Sequence, residues 1–262
     1  MSNVKTFNNF KIHTQYSICE GAIKIDDLAL HCKENKIPNI GICDSLNLCG
    51  ALEFAEKISK SGTHPIIGTQ INFSQENSIG KLPLFATTAH GYKNLIKLSS
   101  KSYLDSDERA DPHCKIDQLK NINEGLILMS GNHHGLFGEL FKLNKLKQIE
   151  ETLKNLKNIF KDRFYLEIQR HNEVGEENYE NFIIKLSEAN QIPLMATQEI
   201  FYLKKEMYEA HDALVCIGQK NFVDDPNRIK FSDQHFVKNN DDIISLFSDI
   251  PEALENNYNF PY

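Results

Sequence analysis

Much of what marks a specialised protein is missing from this 262-residue chain. No apolar run approaches the roughly 18 residues of a membrane span. The opening residues 1–10 carry neither an apolar core nor a cleavage pattern, which argues against a secretory leader. Low-complexity tracts, internal repeats and a Gly or Pro excess are absent, so fibrous and disordered classes are excluded. The net charge of -7 argues against a generally basic, nucleic-acid-binding protein and leaves open only a local basic patch. The six cysteines, at 19, 32, 43, 49, 114 and 216, form no Cys-x-x-Cys pair and no zinc-ribbon spacing. They read as reduced thiols of a soluble, cytoplasmic protein.

What is present is ordinary globular composition, 40% hydrophobic and 25% charged, arranged as an alternation of strand-length and helix-length segments. Apolar spacing predicts a helix over 25–34, with Asp26 and Asp27 in its first turn, and another over 47–61 stopped by Gly62. Short apolar runs at 37–43, 65–73, 82–87, 126–129, 164–169 and 192–197 predict strands. Between them, 74–81 reads as a polar loop, 104–115 as irregular, and 136–160 as helical with a break near Asn144. Further helices are expected at 92–102, 177–189, 204–216, 241–247 and 251–257. The alternation implies a parallel sheet with helices outside, and about seven strands suit a distorted barrel better than an open sheet. Residues 1–225 are assigned to this β/α barrel and 226–262 to a short helical extension, whose apolar Leu246, Phe247 and Leu254 are expected to stay partly exposed for a following domain.

The stretch 11–21 organises the rest. Lys11 and His13 lie two apart, on one face of a strand, at the carboxyl end where barrel enzymes place their chemistry. With histidine at 11 this would be a His-x-His metal pair.

Several segments resemble one family in order and spacing. His13-Thr14-Gln15-Tyr16-Ser17 with Glu20-Gly21 is similar to the opening motif of the PHP (polymerase and histidinol phosphatase) domain. Asp44-Ser45-Leu46-Asn47-Leu48-Cys49-Gly50, Pro65-Ile66-Ile67-Gly68 and Gly91-Tyr92-Lys93-Asn94-Leu95 continue the match. Glu124-Gly125-Leu126-Ile127, the run from Tyr165 to His171, and Ala196-Thr197-Gln198-Glu199 complete it. Together they resemble the PHP region at the N-terminus of bacterial replicative DNA polymerase III alpha subunits, over essentially the whole chain.

The resemblance implies an α/β fold, a distorted (β/α)7 barrel of the PHP type, with His, Asp, Glu and Cys ligands at the strand ends for two or three metal ions. Residue by residue, this chain departs from that set. Lys11 stands at the first histidine of the pair, while His13 keeps the second. Glu20 replaces an Asp, Ser45 a His, Gln70 a Glu, Lys81 a strand His, and Asn132 a Cys or His with His133 and His134 displaced beside it. The final Asp-x-His reads Glu199-Ile200-Phe201. A protonated lysine and a phenyl ring cannot ligate, and an amide in place of a carboxylate removes charge that a metal needs. Lys11, His13, Glu20, Asp44, Ser45, Gln70, Asn132, His171, Glu199 and Phe201 are thus expected to form a vestigial, non-catalytic site, with Lys11 supplying the missing positive charge beside Glu199 or Glu20.

The plainer readings stand alongside. His13 is a hydrogen-bonded histidine at the barrel mouth. His133 and His134 are adjacent and in a loop, hence no metal pair, and His31, His64, His90 and His113 are surface residues.

The resemblance implies no cofactor in this segment, Mg²⁺ being expected for downstream polymerase domains. It implies as partners those domains, a proofreading exonuclease subunit and other replicase subunits, with DNA met only through the full-length protein and no membrane contact. Two alternatives stay open: an active metal-dependent PHP phosphoesterase or 3′–5′ exonuclease, and a free-standing interaction protein derived from such a domain.

Overall fold

The computed structural model describes residues 5–107 and 110–261. The strands are β1 (Lys11–Ile12), β2 (Asn39–Ser45), β3 (His64–Gln75), β4 (Ser78–Ala86), β5 (Cys114–Lys115), β6 (Leu126–Met129), β7 (Phe164–Ile168), β8 (Leu194–Ala196) and β9 (Glu199–Ile200). The helices are α1 (Ile25–Asn35), α2 (Ala51–Lys60), α3 (Ala89–Leu104), α4 (Leu136–Lys142), α5 (Leu146–Phe160), α6 (Glu176–Asn190), α7 (Tyr208–Gln219), α8 (Asn240–Leu246) and α9 (Pro251–Asn259). Helix faces follow the sequence: α5 buries Ile149, Leu153, Leu156 and Phe160, spaced by three and four residues. Asn144 takes a left-handed φ of 54° at the break between α4 and α5.

Six strands run in the order β2-β3-β4-β6-β7-β8, and β5 pairs with the outer end of β3. The chain leaves β8 through Thr197 and Gln198 into β9, which pairs in parallel with β1. Asn9 O accepts from Gly41 N of β2 at 2.9 Å, which brings the first strand back to the sheet edge. The result is the distorted PHP-type barrel with C-terminal helices. It is not all parallel, however. Residues 74–81 are not a loop: β3 and β4 form an antiparallel hairpin turned at Glu76 and Asn77, and β4 is also antiparallel to β6. Glu76 adopts φ 51°, the left-handed conformation a two-residue hairpin turn demands.

Inside the barrel, Phe10, Cys43, Ile66, Phe85, Met129 and Met195 form an apolar layer. Phe260, from beyond α9, stacks on Phe10 at 4.4 Å and meets Phe85 edge-on at 5.3 Å. Phe247 and Leu254 are buried in the large core formed with the sheet, and only Leu246 is half-buried. The expected exposure of this region therefore fails for Phe247 and Leu254, because α8 and α9 cover barrel core. Asn257 adds polar anchorage, donating to the carbonyls of Asn8 and Ala196, both at 3.0 Å.

Candidate functional site

Above the apolar layer, at the carboxyl ends of the strands, the barrel interior turns polar. The parallel register places Lys11 opposite Glu199. Lys11 is 1% exposed; its Nζ lies 2.8 Å from Glu167 Oε1 and 3.9 Å from Glu199 Oε2. Burial alone pulls this ammonium toward neutrality, but the carboxylates of Glu167 and Glu199 outweigh it and hold its pKa above the ordinary value. Glu167, on β7, also accepts from Thr197 Oγ1 and Gln169 Nε2.

Glu199 is where the donors converge. Its Oε1 receives His13 Nε2 at 2.9 Å and the Gln70 amide; its Oε2 receives Asn132 Nδ2 at 2.5 Å. Burial by itself raises the Glu199 pKa, yet Lys11 and His13 hold it well below the usual carboxylate range. Asp44, 1% exposed, accepts from Thr14 N at 2.6 Å, Thr14 Oγ1 at 2.7 Å and Ser17 Oγ at 2.7 Å. Its burial wins over those hydrogen bonds and pushes its pKa up.

The remaining expected positions divide. Glu20 does not reach Lys11; Lys81 holds it at 2.5 Å and donates to Ser45 Oγ at 3.0 Å. The Lys81 charge overcomes the burial of Glu20 and keeps its pKa low. Phe201 is buried against the His13, His211, Phe231 and His235 rings, at centroid distances of 4.8–5.3 Å. His171 stands outside this cluster: it stacks on His235 at 4.0 Å, and its backbone N donates to Glu176. Solvent reaches the site through a cleft of about 500 Å³ lined by Glu20, Gln70, Lys81, Asn132, Glu199 and Phe201.

Sequence reasoning missed Glu167 as the primary partner of Lys11. The available signal was an ionisable residue inside a five-residue strand that is otherwise Phe, Tyr, Leu and Ile. It also missed Glu173 and His235, which come from separate loops with no shared local pattern. His133 and His134 do lie in a loop, as expected, but both rings turn to the same Glu173 carboxylate.

The PHP domain family matches residues 9–171, more than half of the chain. This chain belongs to that family. Its PHP barrel is 34% identical over 258 residues to the DNA polymerase III subunit alpha of Caulobacter vibrioides, covering 95% of this chain and 23% of that protein. It is 35% identical over 254 residues to the subunit of the same name from Rickettsia bellii, covering 97% and 22%. The chain thus spans less than a quarter of the length of these curated relatives. Among solved structures it is similar to a two-domain Bacteroides vulgatus protein containing a predicted PHP-like metal-dependent phosphoesterase, with a TM-score of 0.45 and 12% identity over 75% of this chain and 52% of that one.

Proposed function

We propose that this chain is the PHP module of a bacterial replicative DNA polymerase alpha subunit, and that its barrel mouth is closed by protein groups instead of metal ions. The observation that carries the reading is the convergence on Glu199. A metal cluster needs lone pairs pointing inward. Here the groups around the carboxylate are an ammonium, two amide N–H donors and an imidazole. Each supplies the hydrogen bond or charge that a cation would otherwise supply, and Phe201 fills a ligand position with an apolar ring. The donor set does not fit the two or three metal ions that the fold implies.

On this reading the segment stabilises and docks, while nucleotidyl transfer and its Mg²⁺ belong to downstream domains of a cytoplasmic replicase. Near-full coverage by relatives named alpha subunit supports it. We propose that exposed Ile18, Ile217, Phe222 and Val223, close in sequence to the contact of Cys19 with Gly218 of α7, take part in docking the proofreading exonuclease subunit or another replicase subunit. No helix among the described residues is long and apolar enough to cross a membrane.

The test is hydrolysis of bis(p-nitrophenyl) phosphate with Mn²⁺, Zn²⁺ or Mg²⁺ against a chelated control. No metal-dependent rate is expected. A rate that needs metal and vanishes in His13→Ala defeats the proposal in favour of an active phosphoesterase.

A further inference from the structure

Beside the Glu199 cluster, and sharing no side chain with it, four groups converge from three separate loops. His133 and His134 come from the turn after β6, Glu173 from the loop after β7, and His235 from the segment leading to α8. Glu173 Oε2 faces His134 Nε2 at 2.7 Å and His133 Nε2 at 3.1 Å. Glu173 Oε1 faces His235 Nε2 at 3.0 Å. The ligand atoms of His133, His134 and Glu173 all lie within 4.8 Å of one another.

A third ring, His235, is buried against the other oxygen of the same carboxylate. Its Nδ1 lies 3.0 Å from the backbone carbonyl of Glu199, and its Nε2 lies 3.0 Å from Glu173 Oε1. Ligating carboxylates are themselves held by such neighbours, so His235 orients Glu173 toward the two rings.

We infer that His133, His134 and Glu173 bind one divalent transition metal of the zinc type. Two imidazoles and a carboxylate suit zinc, and zinc–ligand bonds of about 2.0–2.2 Å set tetrahedral edges of about 3.3 Å, against 3.1 and 2.7 Å here between Glu173 Oε2 and the rings of His133 and His134. His134 is half exposed and lines the mouth of the cleft, which gives the ion an entry path. These three ligands tie the rim loop after β6 to the loop after β7 and leave a fourth position for water. This goes beyond the proposed function and replaces the expectation that the segment holds no cofactor.

The experiment uses the untagged 262-residue chain, stripped with a chelator and titrated with Zn²⁺ alone, then with Co²⁺ as a spectroscopic probe. One equivalent of Zn²⁺ should bind, and Co²⁺ should show the intense visible bands of tetrahedral coordination. His134→Ala, at the exposed ligand, and Glu173→Gln should each weaken binding by more than about tenfold, with folding checked by circular dichroism. Glu20→Gln, in the barrel mouth, should leave binding unchanged. Absence of stoichiometric binding, or binding indifferent to both His134→Ala and Glu173→Gln, overturns the inference and leaves the proposed function standing. Binding lost only in Glu20→Gln places the metal in the barrel mouth and overturns both.

Discussion

Lys11 and Glu199 face each other across the seam where the first and last strands of the barrel pair, with the Lys11 ammonium 3.9 Å from Glu199 and 2.8 Å from Glu167. One buried cation thus serves two carboxylates from different strands. Removing it takes the nearest cation from both carboxylates, and Glu167 is fully buried. Lys11→Met is expected to cost about 3–5 kcal/mol, the range for breaking a buried pair from one side. Adding Glu167→Gln should recover the larger part, because the second charge leaves with the first. Urea unfolding at neutral pH measures both. A loss below about 1 kcal/mol for Lys11→Met, as for a surface pair, refutes the account.

The pairing at this seam was legible from sequence, since barrel closure sets first and last strands side by side. So were most strands and helices, whose apolar spacing is local. The β3–β4 hairpin was not, because Ser74, Gln75 and Glu76 read as loop while pairing across the sheet supplied the missing preference. The partner of Lys11 was half visible: Glu199 follows from topology, whereas Glu167 depends on how far a flexible lysine reaches. Glu173 and His235 are separated by 62 positions, and only the folded loops bring them together.

Acid should release the same network. The folded pKa of Glu199 is held well below its unfolded value near 4.5, so its contribution is complete above that value and is lost as pH falls through the folded pKa. Glu20 acts in the same direction. Asp44, whose pKa burial raises, opposes them over its own window. Stability measured from pH 6 downward should fall less steeply in Glu199→Gln than in the wild type. Parallel slopes below about pH 4.5 remove Glu199 from the list of acid-sensitive groups.

A third prediction concerns the approach of α3 to the loop before β6. A Cβ on Gly91 would sit 1.9 Å from the carbonyl oxygen of Gly125, a backbone atom that cannot rotate away. Gly125 is itself fixed at φ 69°, and its carbonyl accepts from Thr87 N at 2.9 Å. Gly91→Ala should therefore cost about 1–3 kcal/mol, despite the better helix propensity of alanine. A stabilised variant in thermal unfolding shows that the loop yields and the close approach is not required.

The last prediction tests whether the C-terminal helices are part of the barrel or an appendage. Asn257 is fully buried on α9, and its amide reaches two parts of the barrel at once. It accepts from Asn8 N at 2.8 Å and donates to Asn8 O and Ala196 O, each at 3.0 Å. Asn257→Leu conserves volume but leaves three backbone groups without those partners. Each unsatisfied group costs about 1–3 kcal/mol, so a total loss on the order of 3 kcal/mol or more is expected. A chain cut after residue 225 goes further, uncovering Phe7 and Phe10, which stack on Phe247 and Phe260. It should bind a hydrophobic dye and lose its sharp unfolding transition, the marks of lost specific packing. If residues 1–225 instead unfold cooperatively at the same urea midpoint as the full chain, α8 and α9 contribute nothing to the barrel, and the shared core is incidental.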